Sequence, residues 1–170
     1  MVATPAELFQ RLDRLGIAHT THHHPPLHTV AESVVLRGSL PGGHCKSLFL
    51  KDRKDGLWLI VVLEDRRLDL KALAERLGAP RFSFGSPDLL LAVLGVTPGA
   101  VTPFALINDE AQRVQVVLDA EVLRHDPVNF HPLVNTATTA VSADGLRRFV
   151  ADCGHHPRVV ELGDIDRAAL

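Results

Sequence analysis

The chain contains no tyrosine and a single tryptophan among its 170 residues, so aromatic platforms for stacking nucleic-acid bases are in short supply. Cys45 and Cys153 are its only cysteines, too few for a disulfide framework. No cationic stretch followed by an apolar segment opens the sequence, and no secretory signal is expected. The longest apolar run, Leu57-Trp58-Leu59-Ile60-Val61-Val62-Leu63, is strand-sized and far too short to cross a bilayer. A formal charge of −2 argues against a broadly basic nucleic-acid coat, although Lys46, Lys51, Arg53 and Lys54 fall within nine residues. Repeats, low-complexity linkers and composition breaks are absent. With 46% hydrophobic and 22% charged residues, the expectation is one cytoplasmic globular domain over residues 1–170.

Local signals divide the chain into alternating helices and strands. Thr4-Pro5-Ala6-Glu7 is a capping box with proline at the first helical position, followed by Leu8, Leu12 and Leu15 and closed by Gly16. A short strand is expected over residues 17–21. Thr29-Val30-Ala31-Glu32 is a second capping box, opening a brief helix that ends near Gly38. Residues 44–63 read as a hairpin turning at Asp52-Arg53-Lys54-Asp55-Gly56, its strands so apolar that both should be central. Further helices are expected over 68–77, closed by Gly78; from the Ser86-Pro87-Asp88 cap to Leu94, ended by Gly95; and from Ser142 or Asp144 to about Cys153. Further strands are expected at 82–84, 104–107, 113–118, 136–141 and 158–162. The fold class is mixed α/β.

Phe130-His131-Pro132-Leu133-Val134-Asn135-Thr136-Ala137-Thr138-Thr139 collects hydrogen-bonding side chains where a core strand would carry alternating apolar ones. Burying an unpaired polar group costs about 1–3 kcal/mol, so a polar ligand would explain the clustering. Lys46 alternates with Leu48 and Leu50, which places a cation on an otherwise apolar strand face. An ordinary strand-end lysine reaching water would give the same pattern. Gly99 sits in a loop with Pro98 and Pro103, a composition that marks turns anywhere and also permits close backbone approach to a ligand. Five histidines, His19, His22, His23, His24 and His28, lie within ten residues. Pro25-Pro26 forbids the helical spacing that would aim two of them at one ion, and no cysteine pair or HExxH accompanies them. A solvated or pocket-edge loop is the reading, and no metal or cofactor is expected.

Four of these signals, in this order, resemble the YbaK/prolyl-tRNA-synthetase-associated editing domains. They are Pro25-Pro26-Leu27-His28-Thr29-Val30-Ala31-Glu32, Lys46-Ser47-Leu48-Phe49-Leu50-Lys51-Asp52, Gly99-Ala100-Val101-Thr102-Pro103, and Asn135-Thr136-Ala137-Thr138-Thr139 followed by Phe149 and Gly154-His155. Within that family the chain looks most like the free-standing branch that removes alanine from proline tRNA. The resemblance implies a curved, partly barrel-like mixed sheet surrounded by helices. It also implies ester hydrolysis in a small pocket, with no metal and no covalent enzyme nucleophile. Lys46, Gly99, His131 and Asn135 would form the catalytic set. Thr29, Val30, Val34, Ala100, Thr136 and Thr138 would contact substrate, with residues 30–36 as pocket wall or lid. Many relatives carry Asn-Pro where this chain has His131-Pro132. The implied partners are the acceptor end of a mischarged proline tRNA, contacted by Lys51, Arg53, Lys54 and Arg81, and prolyl-tRNA synthetase. A monomer is expected. The alternatives are a deacylase of the same family acting on cysteine or another amino acid, a non-catalytic module that binds aminoacylated tRNA or the synthetase, and a different hydrolase using Cys45 or a histidine-bound metal.

Overall fold

The computed structural model describes residues 2–27, 31, 32, 35, 38 and 40–165. An eight-stranded mixed sheet runs in the order β1-β7-β6-β2-β3-β5-β8, with β4 added to β2. The strands are β1 (His19–His23), β2 (Gly43–Asp52), β3 (Leu57–Leu63), β4 (Phe82–Phe84), β5 (Val114–Asp119), β6 (Val128–Phe130), β7 (Ala137–Val141) and β8 (Arg158–Val160). The α-helices whose full span is described are α1 (Pro5–Arg14), α2 (Leu70–Leu77), α3 (Pro87–Leu94) and α4 (Ala143–Asp152), and Ala31, Glu32, Val35 and Gly38 are also helical. The sheet is open: β1 and β8 stand at its ends and do not pair with each other.

Helix boundaries follow the capping residues. Thr4 and Glu7 form the reciprocal capping box on α1. Asp69, Ser86 and Ser142 each accept a backbone N–H at the start of α2, α3 and α4. The β2–β3 hairpin forms as expected, and every residue of β3 is buried. Two cores result. On one side of the sheet, α1, α3 and α4 cover Phe49, Leu59, Val61, Val116 and Phe130, and Phe104 packs edge-on against both Phe130 and Phe149. On the other, α2 covers Leu50, Trp58, Ile60 and Val62.

Three expectations change. Residues 104–107 form a 3-10 helix (Pro103–Asn108) rather than a strand. Pro103 fixes the first φ and Thr102 Oγ1 accepts from Phe104 N, so the apolar run coils and buries Phe104, Ala105 and Leu106 together. Residues 131–136 form a loop joining β6 to β7, not part of a polar strand, and the short β6 was not anticipated. The first strand begins at His19, two residues later than expected. The helix expected from Thr29, with Val30, Val34 and the proposed lid, lies largely outside the described residues; within it, Val35 is exposed.

The hairpin turn is held by Asp52, which is buried. Its Oδ1 accepts from the backbone N–H groups of Lys54 (2.8 Å) and Gly56 (2.9 Å), and Oδ2 accepts from the Trp58 indole at 2.9 Å. Gly56 is required here, because a Cβ would sit 2.3 Å from Asp52 Oδ2. Burial alone pushes this carboxyl upward, but the Trp58 and backbone donors outweigh it and hold the pKa below the ordinary aspartate value. The stabilisation is therefore complete above the unfolded pKa of about 3.9 and is lost as pH falls through the lower folded value. Asp52→Ala strands three donors and should destabilise the fold by about 3 kcal/mol, read as a lower urea midpoint at neutral pH. The difference from wild type should shrink in strong acid.

Candidate active site

The strand registers place the polar side chains of four strands on one face. His44 pairs with Asn129 and Lys46 with Val62, and β-strand alternation puts His44 and Lys46 on the same side of β2. Asn129 pairs with Ala140, two residues from Thr138, and Thr138 pairs with His22. His22, Thr138, Asn129, His44 and Lys46 thus form a stripe across β1, β7, β6 and β2. This explains why β2 is only partly buried between His44 and Leu48 although it is central.

A cavity of about 110 Å³ opens beside this stripe, lined among others by His44, Cys45, Glu64, Asn129, His131 and Thr138. A water occupies roughly 30 Å³ in the liquid, so the space suits a very small side chain. Its walls are tied down. Asn129 Nδ2 donates to the carbonyls of Pro41 (3.0 Å) and Gly43 (3.2 Å). His44 Nε2 lies 3.1 Å from the Leu40 carbonyl, and His24 Nε2 lies 2.8 Å from Thr138 Oγ1. Larger hollows of about 420 and 720 Å³ lie against α1 and α2, and of the candidate residues only Arg81 lines either.

His131 carries usable chemistry. Its Nδ1 lies 3.0 Å from the Ala137 carbonyl, which can only accept, so Nδ1 bears the proton and Nε2 keeps its lone pair in the neutral ring. Burial is the main cause lowering its pKa, with the His24 ring adding to the effect. The Ala137 carbonyl and the Glu64 charge oppose it. Because the shift is downward, the neutral ring persists below the usual histidine value of about 6.5. If catalysis requires that neutral ring, kcat/KM should be level through neutral pH and fall only on the acid side of that value. A pH–rate profile of wild type against His131→Asn checks this, since the variant should lose the acid limb.

The other candidates do not form a single cluster. Asn135 projects from the 131–136 loop toward Gly99: a Cβ on Gly99 would lie 3.1 Å from Asn135 Nδ2. Gly99 itself is exposed, Ala100 is buried in the larger core, and Thr136 is exposed while its carbonyl accepts from His24 N. Lys46 Nζ donates to the Arg66 carbonyl at 2.5 Å, and no hydrogen bond joins it to His131, Gly99 or Asn135. Lys51, Arg53 and Arg81 gather around a separate groove of about 480 Å³, where Asp52 and Asp55 temper their charge. Lys51 pairs with Asp55 at 3.3 Å, and the Lys54 backbone donates to Asp52. Thr29, Val30 and Val34 lie outside the described residues.

Sequence reasoning missed His44, Glu64 and Asn129 as cavity residues. His44 was accessible from parity with Lys46; the other two depend on which strands pair with β2. The Cys45 thiol packs against the larger core, and burial, reinforced by the Glu64 charge, pushes its pKa up to about 12. Burial also raises Cys153 to about 12. Neither is a thiolate near neutral pH, which removes the activated-thiol geometry that a cysteine esterase needs. Among the described residues no three His, Cys, Asp or Glu side chains converge to hold a metal ion.

A sequence model of the aminoacyl-tRNA editing domain matches residues 24–149, a span that contains the whole cavity. The chain belongs to the aminoacyl-tRNA editing domain family. Prolyl-tRNA synthetase associated domain-containing protein 1 of Bos taurus is 39% identical over 162 residues, covering 92% of this chain and 94% of that protein. Prolyl-tRNA editing protein ProX of Acetoanaerobium sticklandii is 35% identical over 153 residues, covering 89% of this chain and 93% of that protein. A crystal structure assigned provisionally to trans-editing for prolyl tRNA synthetase superposes with a TM-score of 0.71 at 20% identity, covering 96% of this chain and 99% of that one. That last likeness bears on the fold: a mixed sheet wrapped by helices. No helix among the described residues is long and apolar enough to cross a membrane.

Proposed function

We propose that this editing-family chain is a trans-acting deacylase whose residues 1–170 work as one domain, hydrolysing alanine from mischarged proline tRNA in the cytoplasm. The observation that carries this reading is the 110 Å³ cavity beside a neutral histidine. We read a space of this size as favouring an alanine methyl over bulkier side chains, the proline ring included. It is the second sieve of double-sieve editing, needed because a synthetase pocket shaped for proline rejects a smaller residue only weakly.

In this scheme the aminoacyl ester enters with its carbonyl toward the Gly99 loop, where backbone N–H groups stabilise the oxyanion formed when water attacks. Asn135, against Gly99, orients the ester. His131 Nε2 accepts a hydrogen bond from the substrate's ammonium or ribose hydroxyl, a positioning role. The substrate's own vicinal hydroxyl or a water carries the proton. Lys46 supplies positive charge to the terminal phosphate or ribose, as a compact ammonium does well. Thr136 and Thr138, with Thr29, Val30 and Val34, complete the substrate contacts, while Ala100, packed in the core with its N–H on the Thr97 carbonyl, supports the Gly99 turn from behind. Lys51, Arg53, Lys54 and Arg81 hold the acceptor stem, and prolyl-tRNA synthetase is the docking partner that releases the mischarged tRNA. No metal or covalent intermediate is involved.

A deacylation panel tests the reading, using tRNA with the proline anticodon charged with alanine, cysteine, serine or proline. Alanine should be removed fastest and proline spared. Equal rates across the panel, or rapid loss of proline, would exclude a size-selective pocket.

A further inference from the structure

The sheet has a gap beside the candidate site. One edge of β2 pairs along its length with β3, but the opposite edge is shared: β6 pairs with it at Gly43 and His44, and β4 at Leu50, Lys51 and Asp52. Between them, among the described residues, 45–48 carry no partner strand on that edge, a stretch of roughly 13 Å at 3.3 Å per residue. The cavity with His131 lies at the β6 end of this open edge.

Phe84 lies at the other end. Of the seven phenylalanines it is the exposed one, with 65% of its surface accessible, on a three-residue strand paired only with β2. Its partner in register is Leu50, so Phe84 shares the sheet face of Leu50, Leu48 and Lys46. Gly85 N donates to the Phe49 carbonyl at 3.0 Å, fixing the strand end that presents the ring. Lys51, Arg53 and Arg81 surround the groove at the start of the same strand. An isolated exposed phenylalanine is unremarkable on most surfaces. Along the strand direction this apolar ring lies between the groove, whose Lys51–Ser83 pair faces the opposite side of the sheet, and the β2 edge that leads to the cavity. Base-on-aromatic stacking next to backbone-tracking cations is how single-stranded nucleic acid is held without sequence readout.

We propose that Phe84 is a stacking platform for an unpaired base of the tRNA acceptor end, upstream of the terminal nucleotide. The strand would pass from the Lys51–Arg81 groove over Phe84 and along the open edge of β2 to deliver the aminoacyl ester to the cavity. The proposal rests on the deacylase reading and adds a binding site to it.

Steady-state kinetics on alanyl-tRNA and on the minimal ester alanyl-adenosine separate the two. Phe84→Ala should raise KM for alanyl-tRNA about tenfold with kcat retained, Phe84→Tyr should restore it, and neither should alter hydrolysis of alanyl-adenosine. Phe84→Trp should bind normally, and its exposed indole should be quenched by uncharged tRNA, in contrast to the buried Trp58. An unchanged KM for Phe84→Ala with no quenching in Phe84→Trp overturns the stacking site while wild-type turnover keeps the deacylase reading. Loss of synthetase co-elution in Phe84→Ala without any KM change overturns it too, in favour of a protein contact. Absence of wild-type activity on both substrates is instead the failure of the deacylase reading. Because the ring is largely exposed, unchanged urea midpoints for the variants are expected.

Discussion

Lys46→Ala should lower kcat/KM for alanyl-tRNA by about 10²–10³-fold while leaving circular dichroism and the urea midpoint close to wild type. The magnitude is that of removing one preorganised charge or donor from a water-poor reaction site, about 2.7–4 kcal/mol. Fold stability should be spared because, among the described residues, the ammonium's hydrogen bond goes to the Arg66 carbonyl alone. Lys46→Arg should not restore the rate, since a planar fork cannot replace a compact ammonium on a crowded strand face. Full activity in Lys46→Ala would remove this residue from the mechanism.

The largest stability effect should come from Asp109→Ala. Asp109 and His155 are both buried, with the carboxylate accepting from His155 Nε2 (2.9 Å), Arg113 N (3.0 Å) and Val114 N (2.9 Å). These contacts tie the end of the 3-10 helix to the start of β5 and to the turn after α4. Removing the acceptor strands three donors and should cost about 3–5 kcal/mol. His155→Ala should cost less, because the carboxylate keeps two backbone donors, and His155 Nδ1 has no hydrogen-bond partner to lose. Urea titration of both variants checks the order; an equal or reversed order would show that the imidazole, not the carboxylate, organises the junction.

Much of this was readable in the sequence wherever one local interaction decides the outcome. The capping box at Thr4 and Glu7, the serine caps at Ser86 and Ser142, and Gly78 and Gly95 after their helices each fixed a boundary through contacts within a few residues. The hairpin of β2 and β3 followed from its turn and its two apolar runs. Failure came where an apolar run had no period, as at Phe104-Ala105-Leu106, because a buried strand and a buried coil look alike. The site was half legible. Alternation placed Lys46 on an otherwise apolar face of a central strand, and the polar run marked His131 and Asn135. It could not show that β6 pairs in parallel with β2 through only two residues, the contact that carries Asn129 to His44 and closes the cavity. Long-range register of that kind leaves no local trace.

Titrating the protein with a non-hydrolysable alanyl-adenosine amide, and mapping the bound ligand by crystallography or amide chemical shifts, probes the cavity itself. The alanyl methyl should enter the space between His131, Thr138, Asn129 and His44, with the carbonyl toward Gly99 and the adenosine ribose toward Lys46. Binding in the hollow against α1 or α2, with those four residues unperturbed, would contradict a size-selective editing pocket at this place in the fold.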